Sequence, residues 1–181
     1  MQGKLNSSQQ RPEILKRVII YGLLTLALGS AQCAFFPLLD FCPKTPDLIL
    51  AMLVAIALLD SEIAAGVCAV ACGFFIDAIS GSGLALSPLI YFLTVVIVCC
   101  FTGKILKSFP SFLILLIPML ICKGLATYVR FFIAEGGFPP LWVFVEIILP
   151  EIVVTALFAL PIYFLIKLCI KPLRSHSKFM F

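Results

Sequence analysis

Charged residues are scarce in this chain of 181 residues: they make up 12% of it, against about 25% in an ordinary soluble domain. Hydrophobic residues make up 62%, which is more apolar surface than a soluble globule of this size can bury. We therefore expect lipid to be the solvent for most of the chain. No stretch outside the apolar runs is long enough for a basic and aromatic surface, so no nucleic-acid partner is predicted.

Histidine is almost absent, and with it the usual signs of catalysis or metal binding. The only histidine is His176 in the C-terminal tail, and the eight cysteines form no Cys-x-x-Cys pair and no Cys/His cluster. All but Cys42 lie inside apolar runs, where cysteine packs as a small hydrophobic residue. No nucleophile stands in a pattern with a base and an orienting group. The sequence predicts no catalytic residues, no metal, no cofactor and no enzymatic activity.

Long apolar runs are what the sequence has instead. Residues 18–39 and 84–103 contain no charge over 22 and 20 positions. Twenty helical residues, at about 1.5 Å each, cross a hydrocarbon layer of about 30 Å. The runs lack the alternating polarity of barrel strands, so helices must satisfy the backbone hydrogen bonds in lipid. The predicted fold class is an all-α integral membrane protein, a bundle of about six transmembrane helices.

The predicted organisation is a cytoplasmic N-terminal tail at 1–17, a polytopic membrane domain at 18–170 and a basic cytoplasmic tail at 171–181. The predicted helices cover about 18–39, 47–59, 62–79, 84–103, 109–134 and 141–168.

The second predicted helix is short, with only twelve apolar residues between Asp47 and Asp60. Three arrangements fit this length. The helix crosses with the two aspartates as its water-facing ends, it thins the bilayer locally, or it forms a re-entrant hairpin with the third helix.

Basic residues predict the orientation of the bundle. With six spans, ten of the thirteen Lys and Arg residues lie on one side, in both tails and the loop at 104–107, and Lys44 alone lies on the other. Cytoplasmic segments are enriched in Lys and Arg, so both termini are predicted to be cytoplasmic. Four spans, the count for a re-entrant hairpin, give the same orientation.

Four charged residues fall inside predicted spans, where each costs at least about 2.5–3.5 kcal/mol to insert and so is a candidate for function. Counting from the helix ends places Lys123 at the depth of Glu151. The same count places Arg130 at the depth of Glu146. These groups either line a polar cavity that binds a small molecule or a partner helix, or form structural ion pairs. Asp77, near the outer end of the third helix, is a further candidate, for binding or for capping a helix end.

Three short motifs carry a resemblance to a known family. Pro46 and Asp47 begin the second predicted helix, the segment from Gly73 to Asp77 ends the third, and Gly81 lies in the turn that follows. Together they resemble the bacterial rod shape-determining protein family MreD. The motifs cover the central third of the chain, and the length, basic ends and helix count agree over the rest. In this resemblance the prolines and glycines mark turns and helix starts.

The resemblance implies a non-enzymatic membrane subunit of the bacterial cell-elongation machinery, in the cytoplasmic (inner) membrane, that scaffolds peptidoglycan synthesis and maintains cell shape. It implies as partners an MreC-like single-span protein, an MreB-like filament, a RodA-like glycosyltransferase and a penicillin-binding transpeptidase, beside the lipid bilayer. The family is also similar in fold to the substrate-binding subunits of energy-coupling-factor transporters. The alternative function is therefore the substrate-binding membrane subunit of a small-molecule (vitamin-type) uptake transporter.

Overall fold

A computed structural model of the chain describes residues 7–38, 45–80, 86–102, 106–135 and 141–175. Every regular element in these segments is helical, which confirms the all-α class. After the first α-helix the chain continues as a π-helical turn, Ala31–Phe35, and a 3-10 turn, Phe36–Leu38. The six α-helices of the described residues are α1 Ser7–Ser30, α2 Leu48–Leu59, α3 Glu62–Ser80, α4 Ser87–Thr102, α5 Phe109–Glu135 and α6 Leu141–Ser175.

The distribution of side chains indicates a multi-pass membrane protein. Large apolar side chains point outward, as Ile63 and Leu157 do with 82% and 74% of their surface exposed, whereas the polar residues Asp47 and Thr155 are fully buried. This arrangement is favourable only where the surroundings are apolar. In the part of the chain that the structure describes, four stretches are long and apolar enough to cross a membrane, and α2 and α4 are apolar but shorter. The four are Leu15–Leu38, Glu62–Ile79, Phe109–Val129 and Leu149–Lys171.

Some helix ends differ from the predicted ones. α1 begins at Ser7, inside the segment predicted as a tail, and α6 continues to Ser175 rather than ending near residue 168. α4 begins at Ser87 rather than at residue 84. An apolar run marks the part of a helix that lies in lipid, but the hydrogen-bonded backbone continues past it. Apolarity therefore predicts spans better than it predicts helix ends.

The short helix α2 lies at the centre of the bundle. All twelve of its residues are buried, and it contacts each of the other five α-helices. The expectation that Asp47 and Asp60 are water-facing ends is wrong, because the side chains of these residues keep 0% and 8% of their surface exposed. α2 is about 18 Å long, well below the roughly 30 Å of a hydrocarbon layer. Since protein surrounds it, its length has no need to match the bilayer.

Contacts between side chains show which helix ends lie together. Arg17 on α1 lies 3.1 Å from Asp60, which follows α2, and the Tyr163 hydroxyl on α6 donates to the Lys107 carbonyl before α5, at 3.4 Å. These contacts show that α1 and α2 run antiparallel, as do α5 and α6. We call the two ends of the bundle the Arg17 end and, after the residue that begins α2, the Asp47 end.

Candidate functional site: a buried ion-pair cluster

Three charged side chains from three helices meet at the Asp47 end. Lys123 Nζ on α5 lies 2.5 Å from Oδ2 of Asp47 and 2.8 Å from Oε1 of Glu151 on α6. Asp47 has no exposed surface, while the side chains of Lys123 and Glu151 keep 21% and 19%. Two carboxylates therefore share one ammonium group in a mostly enclosed position. We call these three residues the ion-pair cluster.

Local structure and tertiary contacts both hold Asp47 in place. Its Oδ1 accepts the backbone N–H of Leu50 at 3.0 Å and so caps α2, where the partial positive charge of a helix N-terminus also favours a carboxylate. Its own N–H donates to Oγ1 of Thr155 on α6, at 3.0 Å, and Pro46 before it is buried. Oδ2 forms the ion pair with Lys123. This carboxylate depends on Lys123 to compensate its charge.

Uncharged polar groups complete the surroundings of the cluster. The π-helical turn after α1 carries Gln32, whose Oε1 accepts the N–H of Ile49 at 3.3 Å. On α4, the Tyr91 hydroxyl lies 3.5 Å from Oδ1 of Asp47. Sequence reasoning missed Gln32, Tyr91 and Thr155, because single uncharged polar residues in apolar runs carry no signal of depth or direction. The π-helical turn, a feature often found at functional sites, is equally invisible in the residue pattern.

Of the pairs predicted from depth, the contact of Lys123 with Glu151 is present at 2.8 Å. The closer partner, Asp47, was expected at the start of a helix and not as a partner of Lys123. Comparing the depths of residues on two neighbouring helices gives no information about a third helix beside them. The side chain of Arg130 lies outside the described residues, so its pairing with Glu146 stays a prediction. Glu146 itself is exposed on α6.

Gly73 and Asp77 lie where α3 meets the start of α4. A Cβ atom on Gly73 would overlap the backbone of Pro88, so the two helices approach closely only because this residue is glycine. One turn later, Oδ2 of Asp77 accepts the N–H of Ser87 at 3.2 Å. Both residues therefore position α4 on α3. Gly81 lies outside the described residues.

A second carboxylate anchors α2 at the Arg17 end. Oδ2 of Asp60 accepts hydrogen bonds from Nη1 of Arg17, at 3.1 Å, and from the Tyr21 hydroxyl, at 2.5 Å. The central helix is thus held at each end by a carboxylate that pairs with a cation from another helix.

The chemistry that this arrangement offers is charge compensation between helices. Within the described segments, no three His, Cys, Asp or Glu side chains come together as ligands for a metal ion. The charged groups of the cluster contact one another. No protein-family model, curated protein or solved structure matches the chain, so functional inference draws on its residues and their geometry.

Proposed function

We propose that this chain is a non-enzymatic subunit of the bacterial cell-elongation machinery that scaffolds peptidoglycan synthesis and maintains cell shape. In this proposal it lies in the cytoplasmic membrane as six spans with both termini in the cytoplasm. The observation that supports it best is that the three charged groups of the ion-pair cluster are paired with one another. Asp47, Lys123 and Glu151 join α2, α5 and α6 to one another, which suits a rigid body that presents its outer surfaces to partner proteins.

The residues that resemble the MreD family support the same proposal through their positions. Asp47 caps the central helix and pairs with Lys123, while Gly73 and Asp77 seat α4 on α3. A family motif made of such residues preserves a fold rather than a reaction. The proposed partners are an MreC-like single-span protein, an MreB-like filament, a RodA-like glycosyltransferase and a penicillin-binding transpeptidase.

Purification of the tagged chain from its native membranes in a gentle detergent tests the proposal. We expect a single-span protein and a wall-synthesis glycosyltransferase to copurify. The Lys123→Met variant should lose these partners because its core is weakened, whereas Glu146→Gln, at an exposed position on α6, should keep them. Isolation with an ATP-hydrolysing transport module instead would contradict the scaffold.

A second candidate is the substrate-binding subunit of a vitamin-type uptake transporter. The observation that favours it is the partial exposure of Lys123 and Glu151, which would let a small ligand reach the cluster. A ligand that binds only the folded state raises thermal stability. Stabilisation of the purified chain by a water-soluble vitamin, lost in Glu151→Gln and kept in Glu146→Gln, would support uptake over scaffolding.

A further inference from the structure

An apolar groove of about 580 Å³ runs along the side of the bundle between α1 and α3. Its rims are exposed apolar side chains, among them Val18 and Leu26 on α1 and Ile63 and Val67 on α3. Both helices belong to stretches that are long and apolar enough to cross a membrane. The groove therefore opens sideways into lipid rather than into water.

The floor of the groove is closed by contacts of α1 with α3 and with Asp60, the residue that follows α2. Oγ1 of Thr25 on α1 lies 3.2 Å from Sγ of Cys72 on α3, and the Tyr21 hydroxyl donates to Asp60. Tyr21, Thr25 and Cys68 line the groove and keep less than 10% of their surface exposed. An occupant must therefore enter from the lipid side.

The length of the groove matches one leaflet of a bilayer. The groove begins at Arg17, and α1 and α3 close on each other at Gly29, where a Cβ atom would lie 2.6 Å from Cε1 of Phe75. Twelve residues separate Arg17 from Gly29, about 18 Å along a helix. Half of a hydrocarbon layer of about 30 Å is about 15 Å. A helix crossing from a partner protein would need a groove through both leaflets, whereas a lipid tail needs only one.

Two basic side chains lie at the open end of the groove, where the exposed Glu62 follows the lining residue Ser61. Arg17 lines it with 27% of its side chain exposed, and the exposed Lys16 precedes it. Nη1 of Arg17 donates a hydrogen bond to Asp60. A guanidinium group has five N–H donors, so others remain for a phosphate oxygen. An apolar trough one leaflet deep with a basic end is complementary to a lipid with a negatively charged headgroup.

We propose that the groove between α1 and α3 binds one anionic phospholipid of the surrounding membrane. An acyl chain lies along the groove past Gly22, and the phosphate contacts Arg17. This site lies apart from the ion-pair cluster and is independent of the proposed function.

Native mass spectrometry of the purified chain, titrated with phosphatidylglycerol or phosphatidylcholine, tests the proposal. We expect phosphatidylglycerol to bind about fivefold more tightly, the factor that one basic residue near an anionic headgroup contributes. Gly22→Leu should weaken binding of both lipids, because nothing lies within 4 Å of a Cβ atom there and the new side chain fills the groove without disturbing the fold. Ala27→Leu, an exposed position on α1 outside the groove, should leave binding unchanged.

Two substitutions separate headgroup binding from a merely structural role of Arg17. Asp60→Asn keeps an oxygen for the Tyr21 hydroxyl but releases the guanidinium, so phosphatidylglycerol should bind more tightly and phosphatidylcholine as before. Arg17→Gln should abolish the preference. Equal binding of the two lipids to the unaltered chain, or undiminished binding by Gly22→Leu, would overturn the proposal. So would a photocrosslinker at Val67 that captures a protein rather than a lipid in native membranes.

Discussion

Two carboxylates, the fully buried Asp47 and the partly exposed Glu151, pair with Lys123, so replacing this residue by methionine tests the ion-pair cluster most directly. Methionine preserves much of the apolar stem but removes the ammonium group that lies 2.5 Å from Asp47 and 2.8 Å from Glu151. Removing one partner of a buried pair costs about 3–5 kcal/mol, because the other charge is left without compensation. Asp47 has no exposed surface through which water could compensate it. We expect Lys123→Met to lower the free energy of unfolding by an amount in that range.

Unfolding in mixed micelles with increasing dodecyl sulfate, followed by helical circular dichroism, measures this loss. Asp47→Asn removes the uncompensated charge, so the double variant with Lys123→Met should recover part of the loss, with an interaction energy of about 0.5–3 kcal/mol. Glu151→Gln should cost less than Asp47→Asn, since Glu151 keeps 19% of its side chain exposed. Glu146→Gln is the matched control on α6, and its exposure limits the expected change to less than about 1 kcal/mol.

Two outcomes would refute this reasoning. If Lys123→Met were no less stable than Glu146→Gln, the buried carboxylates would have no need of the ammonium group. If the double variant lost the sum of the two single losses, Lys123 and Asp47 would not act as a coupled pair, and the anchoring of α2 at the Asp47 end would fail as an explanation.

Three further predictions concern packing and orientation. Gly73→Ala should lower the free energy of unfolding by about 1–3 kcal/mol, as overpacking does, whereas Gly22→Ala, in open space, should change it little. Equal stability of the two variants in the same unfolding assay would contradict the close approach of α3 and α4. Leu53→Ala, in the enclosed helix α2, should lower the free energy of unfolding by about 2–5 kcal/mol, whereas Leu157→Ala, at a residue that is 74% exposed, should hardly change it. Similar losses in the two variants would mean that α2 is not enclosed. With the native cysteines replaced, Ser61→Cys should react with an impermeant maleimide from the cytoplasmic side alone, and labelling from outside would reverse the proposed orientation.

Properties that depend on position along one helix could be predicted from the order of the residues. Apolar runs predicted that lipid surrounds an all-helical chain, and a fixed rise per residue placed Lys123 at the depth of Glu151. Hydrophobicity and helix rise are local quantities, so they can be read without knowing which helices are neighbours. The family resemblance singled out Asp47, at the start of the second helix, and Gly73, within the third.

What surrounds each helix became known from the packing of the helices. Twelve apolar residues look the same in sequence whether lipid or protein encloses them, since both surroundings are apolar, so the central position of α2 was hidden. Because α2 is central, Asp47 is buried beside Lys123 and needs the positive charge of that residue. Asp60 pairs with Arg17 for the same reason. The groove between α1 and α3 likewise exists only through the packing of helices that are distant in sequence. Burial and pairing are relations between helices, and no single run of residues encodes them.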